Sequence, residues 1–162
     1  VTSTVAAATE VGGVTASSGF EHFFDDVWPD LVAFCSQATG SAHLGEELCQ
    51  EALTRVYVRF PVLREPRPYA FKVAANLVKR SWRDRRQVLD PPGTTSSPDA
   101  GTLDAVRRLP EPLRDVVLLH YWADLPVAEV ARLLHRPEGT VKRRLHEARR
   151  ALAVTLGEDL DA

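Results

Sequence analysis

LPVAEVARLLHRPEGTVKRRLHEARRAL, residues 125–152, decides the fold. A short amphipathic stretch, the proline-containing turn HRPE and a longer basic stretch predict helices over 126–134 and 138–155. In the second, Val141, Leu145, Ala148 and Leu152 recur at i, i+4, i+7 and i+11 and make one apolar face, while Lys142, Arg143, Arg144, His146, Arg149 and Arg150 occupy the rest. The small Ala131 permits close contact between the two helices, and the whole is a helix-turn-helix pattern. DNA requires such a surface: Arg and Lys neutralise phosphates and release counterions, and Arg can bond a guanine edge in the major groove. Gly139 and Thr140 leave room for a phosphate at the positive end of the helix. The bland reading of the same pattern is an exposed amphipathic helix kept soluble by Arg; the preceding PVAEVARLL, residues 126–134, with its small Ala131, favours DNA.

Upstream, Leu103–Leu109 predicts a short helix, and Pro110 and Pro112 open another that runs to about Ala123. The stretch VLDPPGTTSSPDAG, residues 88–101, is dominated by Pro, Gly, Ser and Thr and predicts a flexible linker. Such a coil spans on the order of 20 Å, so the parts it joins can sit apart on one target. Before it, residues 20–39 predict a helix or a pair broken at Pro29, and residues 44–60 a helix with Leu48, Ala52, Val56 and Phe60 on one face. PVLREPRP, residues 61–68, breaks the chain with three prolines, and a helix over 68–86 follows, with Tyr69, Val73, Leu77 and Ala74 as its buried stripe. The fold class expected is all-α, with two small helical domains joined by a linker. The expected boundaries are a disordered tail at 1–19, a first domain at 20–87, the linker at 88–101 and a second domain at 102–156. Domains this small have marginal cores that need well-packed helices or a partner.

The chain has 162 residues and a net charge of −2, which hides a strong segregation. Residues 1–54 carry eight acids and no Lys or Arg, residues 55–87 carry a net +8, and residues 132–150 a net +5. Two basic blocks between acidic ones suggest two surfaces for a polyanion and one for a basic partner. Cys35 and Cys49 lack metal-site or disulfide-framework spacing and read as small buried apolar residues. The N-terminal stretch has no basic n-region, and Glu10 interrupts it, so it is a poor secretory signal. No apolar run approaches the roughly 20 residues a membrane helix needs. A cytoplasmic protein without membrane insertion is expected. The absence of Met suggests that the numbering begins after the initiator or at a non-standard start. No HExxH, Walker, GxSxG or paired-Cys motif is present, and His146-Glu147 lacks a second His, so no enzyme, catalytic residue, metal or cofactor is expected.

The segment 109–152, and most specifically PEGTVKRRLHEARRAL, resembles region 4 of bacterial RNA polymerase sigma factors, which reads the minus 35 promoter element. It departs from the family in Arg143, where Ser is common, and in His135, where Gly often ends the first helix. A left-handed His135 would cost about 1 kcal/mol. The N-terminal half matches in the same order. EELCQEALTRVY, residues 46–57, resembles the region 2 segment that docks on the polymerase clamp, which implies a polymerase-binding role for Glu47, Gln50 and Glu51. PYAFKVAANLVKRSWRDRR, residues 68–86, resembles the segment that recognises and melts the minus 10 element. Tyr69 stands where Trp is usual, and Arg80 replaces a frequent Asp.

The resemblance implies minus 10 contacts from Tyr69, Lys72, Asn76, Lys79, Arg80, Arg83 and Arg86, with Arg85 on the same basic track. Trp82 and the loop 61–68 are further candidates for base contacts, Trp82 being equally a packing residue. It implies minus 35 contacts from Thr140, Lys142, Arg143, Arg144, His146 and Arg149. Capturing unstacked bases beside a basic track is also what duplex opening requires physically. With no segment standing for region 1.1 or a folded region 3, the chain resembles the two-domain extracytoplasmic-function group of the sigma-70 family. That group binds core RNA polymerase and promoter DNA and is often held inactive by an anti-sigma protein. The alternative reading is a stand-alone helix-turn-helix regulator, for which Glu47, Gln50 and Glu51 would have no polymerase to meet.

Overall fold

The computed structural model describes residues 8–87 and 98–157; side chains are described for 18–84 and 101–157. Seven α-helices make up the described residues: α1 (Ala8–Thr39), α2 (Ala42–Arg59), α3 (Pro66–Gln87), α4 (Pro98–Arg108), α5 (Glu111–Val117), α6 (Val127–Leu134) and α7 (Glu138–Leu156). The all-α expectation holds. Of the expected tail at 1–19, residues 1–7 lie outside the described residues, while helix begins at Ala8 rather than at 20. Of the expected linker, 88–97 lies outside them, and Pro98–Gly101 already belongs to α4.

Helix α1 runs through Pro29 without breaking. An interior proline costs about 3 kcal/mol through a lost hydrogen bond and a clash. Val27, Leu31, Phe34, Cys35 and Ala38 are buried along one stripe on both sides of it. At about 1.5–3 kcal/mol for each large apolar side chain, that burial outweighs the defect.

The helix ends in three short-range devices: the Thr39 hydroxyl donates to Cys35 O at 2.8 Å, Gly40 takes a left-handed φ of 70°, and the Ser41 hydroxyl accepts the Leu44 N–H at 3.2 Å. The chain thereby turns back into α2, whose buried residues Gly45, Leu48, Cys49, Ala52, Leu53 and Val56 form one continuous stripe. Phe60, expected to extend it, sits half-buried at its edge in a short 3-10 turn, Phe60–Val62. Cys35 and Cys49 are free thiols inside this core, and burial is the main reason both are pushed up to about 12.

Helix α3 carries a wider buried surface than the stripe expected from its period. Ala70, Phe71, Ala74, Ala75, Leu77, Val78 and Trp82 are buried, whereas Tyr69 and Val73 are half-buried at the margin. One stripe suits one neighbour, but α3 meets α1 and α2 on one side and the C-terminal half on the other. The sequence allows the two halves to stand apart; the structure packs them on a common core that runs from Val27 to Ala148.

In the C-terminal half, the helix expected to reach Ala123 changes at Leu118 into a π-turn, Leu118–Trp122, closed by the Ala123 N–H on Leu118 O at 3.0 Å. Val116, Val117, Leu118 and Leu119 are all buried, because this segment touches α7 on one side and α1 and α3 on the other. Helix α6 ends in a Schellman motif: the Arg136 N–H bonds Ala131 O at 3.0 Å, the His135 N–H bonds Arg132 O at 3.3 Å, and His135 has φ 51° and ψ 48°. Pro137 then caps α7 in an extended conformation.

Two stability changes follow from these geometries. A Cβ on Gly45 would lie 2.5 Å from both the N and Cα of Ser36, so Gly45→Ala forces α1 and α2 apart. Its expected cost is about 1–3 kcal/mol, read as a lowered chemical-denaturation midpoint. At exposed His135, the left-handed backbone costs about 1–2 kcal/mol, part of which glycine's greater unfolded-state freedom cancels. His135→Gly should therefore stabilise by about 0.5–1 kcal/mol in the same assay.

Candidate nucleic-acid interface

Helix α7 divides sharply into two faces. Val141, Leu145, Ala148 and Ala153 are buried against the helices before it, while Leu152, expected on that face, is half-buried beside it. Lys142, Arg143, His146, Arg149 and Arg150 are exposed, and Thr140 and Arg144 are half-buried along the border. An ion pair on this face joins Arg143 to Glu147 at 3.8 Å. The first turn is open at Gly139, where an added Cβ would meet nothing within 4 Å. Because α7 is held by the fixed turn at His135 and by its buried stripe, the basic side chains stand on a rigid element. Its exposed face can follow a phosphate backbone and reach base edges.

Helix α3 presents its basic residues in two different environments. Arg80 and Arg83 are exposed near its C-terminal end, and the side chains of Arg85 and Arg86 lie outside the described residues. Lys72, Asn76 and Lys79 line a small cleft with Ala75, Asp115, Leu119 and Leu134; Lys72 and Lys79 are half-buried there, whereas Asn76 is exposed. Lys79 Nζ lies 2.6 Å from Asp115 Oδ1 and 3.5 Å from Glu111 Oε1. Tyr69 is half-buried at the edge of the core in the first turn of the helix.

Trp82 is a packing residue. It is buried, its indole N–H donates to Ala38 O at 2.8 Å, and the guanidinium groups of Arg107 and Arg114 lie 5.6 and 5.5 Å from its ring. The segment 61–68 is a short turn at the surface that leads into α3, with Pro66 and Pro68 in the helix's first turn. Val62 is 80% exposed there, while Glu65 accepts from Arg132 Nη1 at 2.7 Å, and Arg67 pairs with Asp26 and Asp30.

The third group of residues sits on α2. Glu47, Gln50 and Glu51 are exposed at i, i+3 and i+4, a single face set away from the buried stripe. Glu47 is 3.3 Å from His43, and Glu51 pairs with Arg55, both one turn along the same helix. The structure therefore holds an exposed acidic face and an exposed basic face on separate helices, with a second basic group partly enclosed.

Sequence reading does not single out Glu111, Asp115, Arg107 or Arg114. Along the chain they look like solvated helix residues, and only the placement of α4 and α5 beside α3 and the end of α1 reveals their partners. Among the described residues, no group of three or more His, Cys, Asp or Glu could hold a metal ion, and no helix is long and apolar enough to cross a membrane.

Comparison with known proteins agrees with this arrangement. Residues 23–88 match the family model Sigma-70 region 2, and residues 102–152 match Sigma-70, region 4. The chain is 34% identical over 154 residues to the ECF RNA polymerase sigma factor SigL of Mycobacterium tuberculosis, covering 83% of this chain and 87% of the relative. It is 26% identical over 156 residues to the ECF RNA polymerase sigma factor SigW of Bacillus subtilis, covering 78% and 83%. Among solved structures, the sigma factor RpoE of Bartonella quintana, crystallised with the anti-sigma factor NepR, has the same fold at a TM-score of 0.66 and 20% identity, over 89% of this chain and 99% of that one. A stand-alone helix-turn-helix regulator leaves the region 2 match without explanation. With both regions present in order and a relative 34% identical across most of its length, the chain belongs to the ECF RNA polymerase sigma factors, transcription initiation factors that bind core RNA polymerase and direct it to promoters.

Proposed function

We propose that the three surfaces divide the work of initiation. The exposed face of α7, with Thr140, Lys142, Arg143, Arg144, His146 and Arg149, reads the minus 35 element in the major groove. Helix α3, with Tyr69, Lys72, Asn76, Lys79, Arg80, Arg83 and Arg86, holds the minus 10 element as it melts. The acidic face of α2, with Glu47, Gln50 and Glu51, docks on a basic surface of core polymerase, in the cytoplasm where the enzyme works. A protein inhibitor of the anti-sigma class belongs to the same proposal, in keeping with the partner present in the Bartonella quintana crystal. The chain acts through binding, without chemistry of its own.

The observation that carries this reading is the two-faced construction of α7: a buried apolar stripe opposite exposed Lys142, Arg143, His146 and Arg149. Nothing in the fold's own stability requires Lys142, Arg149 and Arg150 exposed together on one helix face, whereas a phosphate backbone has use for them.

Reconstitution with bacterial core RNA polymerase and a pool of promoter fragments tests it. The expected result is a stable complex that produces new, sequence-specific start sites. In that assay Arg149→Ala and Lys142→Ala should each weaken promoter use by about 1–3 kcal/mol where the side chain reads a base, or reduce the salt slope by about 1 where it holds a phosphate. Unchanged output and slope in both variants would remove α7 from the DNA interface. Reversing the acidic face with Glu47→Lys, Gln50→Lys and Glu51→Lys together should weaken polymerase binding on the order of a hundredfold or more, because like charges then oppose one another. Full binding by the folded triple variant would show that polymerase docks elsewhere.

A further inference from the structure

Beyond its first turn, helix α7 carries one carboxylate, Glu147, and places it among the cations rather than beside the core. Arg143 stands four residues before it and Arg150 three after it, the spacings that share one helix face. Arg143 Nε lies 3.8 Å from Glu147 Oε1, and the two side chains are 71% and 53% exposed. On the opposite side, Val141, Leu145 and Ala148 hold the helix against the core.

Helix stability gives little reason for this acid. An exposed ion pair gains little, because water screens it and side-chain entropy opposes it. The order, Arg before Glu at i, i+4, is also the less favourable one for a helix. Against a phosphate backbone the carboxylate is a direct cost, since it repels the polyanion that its neighbours attract. A group that adds little to the fold and opposes general DNA affinity is explained by discrimination between DNA sequences, where a repulsive element serves as well as an attractive one.

Base edges in the major groove make that discrimination specific. Cytosine presents only an amino donor there, which a carboxylate accepts. Guanine presents two acceptors, thymine an acceptor and a methyl group, and adenine sets an acceptor beside its donor, so each of them meets a carboxylate less well. The pair with Arg143 supplies the complement: with Nε turned toward Glu147, the two terminal nitrogens of the guanidinium remain for the O6 and N7 of a guanine. We propose that Arg143 and Glu147 form one base-reading unit for the minus 35 element, in which Glu147 accepts the N4 amino group of a cytosine and, by holding Nε, sets Arg143 on a neighbouring guanine. Glu147 is thereby a specificity-determining residue that lowers affinity for DNA in general and raises preference for one sequence. This rests on the reading of α7 as the minus 35 helix made above and adds to it the bases recognised.

The test uses the full chain bound to core RNA polymerase and a promoter library randomised across the minus 35 element, with the bound fragments sequenced. The wild type should select a guanine and, within one base-pair step of it, a cytosine on either strand. Glu147→Ala should reduce the preference for that cytosine about tenfold, toward equal use of the four bases, while binding to unselected fragments increases. Glu147→Gln should move the preference to adenine, because an amide matches the adjacent N6 donor and N7 acceptor of adenine and a carboxylate does not. Arg143→Ala should lose the guanine, and Arg143→Ala combined with Glu147→Ala should lose less than the sum of the two single changes, as coupled groups do.

A merely structural role for Glu147 would change overall affinity in both variants without moving the base preference, and that result overturns the proposal. So does wild-type selection with no cytosine beside the guanine, and so do additive losses, which separate the two residues. Should Lys142→Ala, Arg143→Ala and Arg149→Ala all leave the selected sequence and the affinity unchanged as well, the assignment of α7 to the minus 35 element has failed. Should they change it while the Glu147 variants do not, α7 remains the reader and only the role of Glu147 falls.

Discussion

Trp82 fixes the position of α3 between the two halves of the molecule. Its indole N–H is committed to the carbonyl of Ala38 at the end of α1, and its ring is covered by guanidinium groups carried by α4 and α5. The residue is therefore bonded to one half and packed under the other. Removing either set of contacts would expose a large aromatic surface or leave a buried N–H without an acceptor, and both are costly. This constraint determines which face of α3 looks toward the C-terminal half, and with it the position of Lys79 opposite Asp115.

The electrostatics follow from that placement. The sequence segregates charge into blocks, and the fold partly reunites them. Arg67 returns to Asp26 and Asp30 on α1, Lys79 meets Asp115 and Glu111, and Arg132 meets Glu65. The cations of α7 are treated differently: most of that face stays in water, with Glu147 beside Arg143. A basic residue already held by a carboxylate has less to gain from a phosphate, because the existing pair must break first. The two basic blocks, equivalent as composition, thus differ in how readily they meet a polyanion.

Rigidity is supplied locally. The left-handed His135, the Schellman bonds to Ala131 and Arg132, and Pro137 set the direction in which α7 leaves α6. At the other end of the molecule, Gly40, Ser41 and Gly45 let α1 and α2 cross at backbone contact. Both surfaces on these helices are consequently carried by elements whose relative direction is fixed by backbone stereochemistry, which is what recognition by several side chains at once demands.

Much of this was legible in the chain itself. The apolar stripes of α2 and α7, the turn at HRPE, the proline-rich break before α3 and the exposed acidic and basic faces all depend on residues within one or two helical turns, so periodicity and turn chemistry suffice to find them. Even the strained His135 was visible as a non-glycine at a helix end. What escaped sequence reading is what depends on distant segments. Whether Pro29 breaks α1 is left open by the chain and decided by the buried neighbours that outweigh it, α3 is buried on two sides because two halves share it, and Leu118–Trp122 widens into a π-turn where the segment is packed from both directions. The sequence by itself determined which helices form and which of their faces are charged. Only tertiary structure decided that Lys79 meets Asp115, because charge carries no address along the chain: packing chooses which helices touch.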